Sequence, residues 1–373
     1  MEKDIIQMSQ RELTRVHVIQ KVLERSLTQK DAADKLDLSD RQVRRIVVRV
    51  RNEGDKGILH RLRGKPSGRQ IPQKLWQKIL SLYRTIYYDF GPTFACEKLL
   101  EHNNIKISDE SLRTKLIAEG LWQKCRKSRK HRQWRERKHC RGEMIQMDGS
   151  HHLWFESRDK GCVLMGYIDD ATGDKFGQFY EYEGTVPAFD SLKRYITKHG
   201  IPQSIYVDKH PTYKAIGNQT IEEELNNHFN LSQFERACKE LNIRVIHAHS
   251  PQAKGRIERS FKTDQDRLIK ELRLAGIKTI KEANQFLKTY WPKHNNRFAV
   301  EPAHATDMHR PLSSTIDLDA ILCSKNERVV RNDFTIVCEN KLYQIVDRNC
   351  PRKVIVEERI NGRMCISSNN RYL

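Results

Sequence analysis

Three acidic residues near the middle of the chain each belong to a stretch with the pattern of a core element. In Glu143-Met-Ile-Gln-Met-Asp-Gly-Ser150, apolar Ile145 and Met147 alternate with polar Gln146 and Asp148 at the strand period. Asp148 therefore falls on the face opposite the core residues. Ser204-Ile-Tyr-Val-Asp208 is a short run of β-branched and aromatic residues with the carboxylate at its C-terminal end. In Ser250-Pro-Gln-Ala-Lys-Gly-Arg-Ile-Glu-Arg-Ser-Phe261, Pro251 and Gly255 punctuate a loop before a long helical pattern, so Glu258 falls in the first turns of a helix. A lone acid is ordinarily a solvated surface charge. Three of them on two strands and a helix are more specific.

Phosphodiester chemistry supplies a reason for that arrangement. Two Mg²⁺ ions about 4 Å apart can hold the attacking and leaving oxygens of an in-line displacement, and hard cations require oxygen ligands. With their flanks Asp148-Gly-Ser-His151, Ile168-Asp-Asp-Ala-Thr172, Tyr206-Val-Asp208 and Ser250 to Glu258, these residues resemble the integrase core of bacterial insertion-sequence transposases. The group resembled is the one called ISNCY, relatives of the retroviral integrases, and the resemblance covers nearly the whole chain. It implies an RNase H-like fold and an Asp-Asp-Glu triad, with Asp148, Asp208 and Glu258 both catalytic and metal-binding. It also implies two Mg²⁺ ions per site, with Mn²⁺ as a substitute, and the cutting and joining of DNA strands. The interval from Asp208 to Glu258 is longer than the retroviral one, which makes residues Lys214 to Asn230 an insertion.

The surrounding pattern suits such a core. Asp148's strand is followed by Cys162 to Ile168 and Phe176 to Tyr182, joined by the turn Asp170-Ala-Thr-Gly173, as an antiparallel meander. A helix from Val186 to Lys198 leads to the Asp208 strand. Ser232-Gln-Phe-Glu235 has the form of a capping box opening another helix, and Arg244 to His249 reads as a strand before the Glu258 helix. Asp169 and Asp170 are rival ligands, but acids beside a turn usually serve the turn itself. His151, His152, His247 and His249 are candidates for substrate contact, the plainer reading being packed or solvent-facing imidazoles. Lys254 and Arg256 would meet a negatively charged strand. Lys262 and Gln265 follow Glu258 on the same helix face, the face that grips terminal DNA in the integrases resembled.

Net charge bears on the partner. An excess of +20, with Lys and Arg spread over several segments, favours a polyanion such as double-stranded DNA over a small acidic substrate. No signal peptide or bilayer-length apolar run is seen, so the expected location is the bacterial cytoplasm, in association with the nucleoid, with no membrane partner. The nine cysteines are scattered without a C-x-x-C pair and read as reduced thiols. Cys125, His131, His139 and Cys140 fit no common zinc spacing. No other cofactor is expected.

N-terminal to the core, the helical stripe Leu13, Val16, Ile19, Val22 and Leu23 is followed by a helix capped by Thr28. A third helix, from about Asp40 to Arg51, opens at Ser39-Asp-Arg-Gln42, which also has the form of a capping box. This pattern is a helix-turn-helix, with Val43, Ile46, Val47 and Val50 inward. Arg41, Gln42 and Arg45 are candidates for base contact, and Arg44 and Arg49 for phosphate contact. The plain alternative is an ordinary three-helix bundle. Arg61 to Arg69 is a basic linker whose Arg63, Lys65 and Arg69 suit a minor-groove arm or a mere tether. From Gln73 to Trp122 the pattern reads as a second helix-turn-helix, winged or not, with Ser111, Arg113 and Lys115 toward DNA. Lys124 to Arg141 is a Lys- and Arg-rich linker with Trp134 interleaved.

After Thr279 a further helix runs through Leu287 and Tyr290. From Arg328 onward the pattern turns to short β-rich runs, with a hairpin signal at Asn361-Gly362. The expected layout is multidomain α and α/β: a helix-turn-helix at 1–58, basic linker 59–72, second helix-turn-helix 73–122, and basic linker 123–142. An RNase H-like core at 143–300 and a linker with a small C-terminal β-barrel at 301–373 complete it. The expected function is a DDE transposase acting on element ends and target DNA as a homodimer or larger homo-oligomer. The alternatives are a non-catalytic DNA-binding regulator and an RNase H-like structure-specific nuclease.

Overall fold

The computed structural model describes residues 6–64, 70–123, 136–158, 161–215, 231–248, 255–347, 349–368 and 371–373. The chain divides into two compact units, Met1–Gln123 and Lys124–Leu373.

In the first unit, α1 (Gln10–Leu23), α2 (Gln29–Leu36) and α3 (Asp40–Glu53) close over one apolar cluster that includes Ile19, Ala32, Val43, Val47 and Val50. Ser9 and Glu12 cap α1 reciprocally, and the Thr28 hydroxyl accepts the Asp31 amide at the start of α2. Asp37 takes the left-handed conformation that turns the chain between α2 and α3. Ser39 stands at the N-cap of α3 without a side-chain cap bond, so the box expected there does not close.

Three further helices, α4 (Gln73–Thr85), α5 (Pro92–Asn103) and α6 (Asp109–Ala118), bury Trp76, Ile79, Tyr83, Leu99, Leu112 and Leu116. The Tyr83 hydroxyl donates to the Phe90 carbonyl at 2.8 Å, and Phe90 stacks on Phe94. No strand occurs among the described residues of this module.

The second unit is built on a five-stranded sheet. Its strands are β2 (Ile145–His152), β3 (Cys162–Asp169), β4 (Lys175–Tyr180), β5 (Ser204–Val207) and β6 (Arg244–His247), ordered β4-β3-β2-β5-β6. The first three pair antiparallel, and β5 and β6 run parallel to β2. The helices α7 (Thr185–His199), α8 (Gln233–Glu240), α9 (Gly255–Leu274) and α10 (Ile280–Phe298) complete the core. The order of three strands, helix, strand, helix, strand, helix is therefore present.

Strand alternation explains the two layers. On β3, Val163, Met165 and Tyr167 join one cluster with α7 and α8, while Cys162, Leu164 and Ile168 join another with α9 and α10. Every β3 residue is accordingly buried. Gly166 breaks the second series where α9 crosses: a Cβ there would lie 2.5 Å from the Phe261 ring.

The free edge of β4 is covered by side chains of α10. Asn284 bonds the N–H and C=O of Phe179, Trp291 donates to the Gly177 carbonyl, and Asn295 bonds both backbone groups of Lys175. Edge strands left open pair with other chains, and here α10 occupies those groups.

Two short strands missing from the sequence reading, β1 (Cys140–Arg141) and β7 (His304–Asp307), pair with each other in parallel. Backbone bonds between Ile201 and Arg310 hold the same segment against the core. After the short α11 (Leu318–Ile321), β8 (Cys323–Val329), β11 (Lys353–Arg359), β12 (Met364–Ser368) and β13 (Arg371–Tyr372) form an antiparallel sheet, ordered β13-β12-β11-β8. The hairpin β9 (Thr335–Cys338) and β10 (Lys341–Gln344) shares one core with it, through Ile336, Cys338, Val354 and Val356. Among the described residues no pairing joins hairpin and sheet into a closed barrel. Among the described residues the region is an open sheet with a hairpin packed against it, and closure into the expected barrel is not seen.

Candidate active site

Asp148 sits in β2 directly opposite Gly166 of β3. Residues opposed in an antiparallel pair share a face, so Asp148 lies on the side occupied by α9. The helix runs along that strand. The Ile257 amide donates to the Gln146 side chain at 3.3 Å, Phe261 packs on Gly166, and Gln265 donates to the Ser150 hydroxyl at 3.3 Å. Glu258 follows Ile257 and shares a helix face with Phe261 and Gln265, three and seven residues on.

The parallel register pairs Ile145 with Ile205 and Gln146 with Tyr206. The pairing ends there, two residues short of Asp148 on β2 and two short of Asp208, which follows β5. One Asp208 carboxylate oxygen accepts the His210 amide at 2.9 Å, and the Asp208 carbonyl lies 3.3 Å from His247 Nδ1. All three acids are half-buried. Their donors are carboxylate oxygens, the chemistry a hard divalent cation requires. Among the described residues, however, no group of three or more His, Cys, Asp or Glu side chains is close enough to hold an ion together.

The neighbouring acids serve the fold. Asp169 caps its turn, accepting the amides of Ala171 and Thr172, the Thr172 hydroxyl and the Gly142 amide. Asp170, fully buried, accepts from the Lys138 amide, the Gln146 side chain and the Arg256 guanidinium. Arg256, expected to meet phosphate, thus bonds inward. Gln265 is likewise engaged by Ser150, while Lys262 is exposed. Lys254 and His249 lie outside the described residues.

Two of the candidate histidines have carboxylate partners: His151 meets Glu183 at 2.9 Å and His247 meets Glu235 at 2.8 Å. Glu183 was not foreseen. It also accepts the Tyr213 hydroxyl at 3.1 Å and fills the space where a Cβ on Gly149 would stand. Burial, and next the Glu183 charge, hold the Tyr213 phenol well above its ordinary range. Between α9 and β4, Asp264 of the helix and Lys175 of the strand form a buried pair at 2.7 Å. Burial pushes the Asp264 carboxyl up to about 6, against the opposing pull of Lys175.

In the first unit, Arg41, Gln42, Arg44 and Arg45 are exposed along α3. Arg49 instead donates to the Leu59 carbonyl, and Arg63 bonds Glu12 and the Gln7 carbonyl. Arg113 pairs with Glu110 and Asp109, and the Lys115 ammonium lies 4.8 Å from the centre of the Trp76 ring. Lys65 and Arg69, and Cys125 and His131 of the rejected zinc set, fall outside the described residues.

Known proteins decide the family. A helix-turn-helix domain model matches residues 14–67. A putative transposase of Sinorhizobium fredii is 38% identical over 94% of this chain and 76% of its own length. The transposase of an insertion sequence of Streptococcus pneumoniae is 30% identical over 87% of this chain and 76% of its own. The chain belongs to the transposases. Among solved structures, this transposase is similar to the intasome of simian T-cell lymphotropic virus in complex with a PP2A regulatory subunit, at 15% identity and TM-score 0.37, covering 74% of this chain and 94% of that one. The magnesium-bound integrase core of HTLV-2 matches at 16% identity and TM-score 0.29, covering 40% and 84%. At those scores neither carries an argument about this site. No helix among the described residues is long and apolar enough to cross a membrane.

Proposed function

We propose that this transposase binds the ends of its insertion element through α3 and cuts and joins DNA strands at an RNase H-like site made of Asp148, Asp208 and Glu258. The observation that carries the reading is the register of β2. It sets Asp148 opposite Gly166, under the helix that bears Glu258, and on the strand that pairs in parallel with β5, which Asp208 follows.

In this reading the three carboxylates hold two Mg²⁺ ions, or Mn²⁺ in their place. When bound, these supply activation of the attacking water or 3′-hydroxyl and neutralise charge on the leaving oxygen. The carboxylates orient that pair on the α9 side of the sheet. Lys262, exposed one turn after Glu258, meets the DNA backbone there. The exposed Arg41, Gln42 and Arg45 read the end sequence, with Arg44 on phosphate. Joining two ends calls for at least two copies of the chain, so a homodimer or larger homo-oligomer on DNA is part of the reading.

The test is Mg²⁺-dependent cleavage and strand transfer on a labelled duplex carrying the sequence that flanks the gene. Asp148→Asn, Asp208→Asn and Glu258→Gln are run beside the wild type. Cutting with joining, lost in all three variants while end binding persists, supports the assignment. Near-normal strand transfer by any one variant removes that residue from it, and cutting without joining favours a nuclease.

A further inference from the structure

Gln146 is 1% exposed, and both ends of its side chain are bonded. Its Nε2 donates to Asp170 Oδ1 at 2.7 Å, and its Oε1 accepts the Ile257 amide at 3.3 Å. Ile257 is the third residue of α9, and the first amides of a helix have no acceptor within it. Gln146 supplies that acceptor from the sheet.

Asp170 makes the connection rigid. It is fully buried, takes the Lys138 amide at 2.9 Å, and accepts the Arg256 guanidinium from the same first turn of α9. Sheet and helix are therefore tied twice, at Ile257 and at Arg256, immediately before Glu258. On its own strand Gln146 stands two residues before Asp148 on the same face. In the parallel register it pairs with Tyr206, two residues before Asp208. One buried side chain thus has the same offset from both strand acids and bonds the amide next to the helix acid.

We infer that Gln146, acting with Asp170, is a positioning residue that sets the spacing of Asp148, Asp208 and Glu258. The inference rests on the proposed reading of those three as cation-holding carboxylates. The amide is needed because Asp170 requires a donor and the Ile257 amide an acceptor, and glutamine presents both. Methionine fills similar volume and offers neither. Groups that orient metal-binding side chains, when removed, typically cost 10–100-fold in metal affinity.

The test is Mn²⁺ binding to the full chain without DNA, read from the electron paramagnetic resonance signal of free Mn²⁺. Wild type, Asp148→Asn, Gln146→Met and Arg256→Gln are compared, each with a thermal melt. A folded Gln146→Met that binds Mn²⁺ about tenfold or more weakly supports the inference, as does a matching rise in the Mg²⁺ needed for half-maximal cleavage. Affinity within twofold of wild type overturns it. If Gln146→Met does not fold, Arg256→Gln decides by the same thresholds, since it releases the second tie and leaves Gln146 in place. Full Mn²⁺ affinity in Asp148→Asn removes the cation reading and the inference together. Weakened binding in Asp148→Asn with none in Gln146→Met removes the positioning role alone.

Discussion

Asn284 bonds both backbone groups of Phe179: its side-chain oxygen accepts the amide at 2.7 Å, and its side-chain nitrogen donates to the carbonyl at 3.0 Å. A helix side chain thereby takes the place of a neighbouring strand at the β4 edge. Asn284→Leu keeps the volume and leaves two half-buried backbone groups without those partners, at a cost of about 1–3 kcal/mol each. The variant is expected to melt several degrees lower and to scatter light on heating at concentrations where the wild type stays clear. An unchanged melt would show that water replaces Asn284 without loss.

Arg45 and Arg49 lie one turn apart on α3 and separate the two uses of its arginines. Arg49 donates to the Leu59 carbonyl inside the module, whereas Arg45 is exposed. Arg45→Ala is expected to weaken end binding by about 1–3 kcal/mol if it reads a base, with little change in melting. Arg49→Ala is expected to lower the melting temperature first. Gel-shift titration and calorimetry on both variants measure the two effects, and the opposite pattern would exchange their assignments.

Gly166 lies where α9 crosses the sheet, and an added Cβ would come within 2.5 Å of Phe261. Gly166→Ala is expected to cost about 1–3 kcal/mol through overpacking and to shift α9 off β3. Cleavage should fall much further than end binding, because the helix carrying Glu258 moves while α3 belongs to the other unit. Equal losses in both assays would point to general unfolding instead.

His199 stacks on Tyr195 with ring centres 4.9 Å apart. Burial first, then the charges of Lys198 and Arg141, pull its imidazole down to about 4 from 6.5. The folded protein therefore binds this proton less readily than the unfolded chain. Its contribution to stability is present above pH 6.5 and is lost as the pH falls from there through 4. His199→Phe keeps an aromatic ring and removes that linkage. Melts at pH 7 and pH 5 should show the wild type losing on the order of 1 kcal/mol more than the variant. Parallel losses would mean that His199 titrates normally.

Most of the element order could be read from the sequence because it rests on local signals. Thr28 and the Ser232 to Glu235 box cap their helices as their spacing suggests. Ser39 to Gln42 looks alike in sequence, yet its cap bond does not form. The boxes that close, at Ser9, Ser232 and Thr279, all end in a glutamate, whose charge strengthens the bond to the amide and suits the positive end of a helix. Strand β8 gave little signal because Ser324 to Arg328 is a polar run, held by its pairing with β11. The inward turn of Arg256 was illegible for another reason. Its partner Asp170 is 86 residues away in sequence, and charge alone does not distinguish a phosphate from a buried carboxylate. Gln146 was visible only as a polar residue in an alternating strand, since its task depends on which helix amide arrives above it.

The inward bond of Arg49 divides α3 into two stretches of unequal freedom. Its last turns answer to the module that encloses them, through Val50 and the tie to Leu59. Its opening turns carry Arg41, Gln42 and Arg45 on the outside. On the proposed reading, a copy of this element whose terminal sequence drifts can be followed by exchanges at those outer positions without disturbing the domain that presents them, so the address read and the scaffold that reads it would change independently.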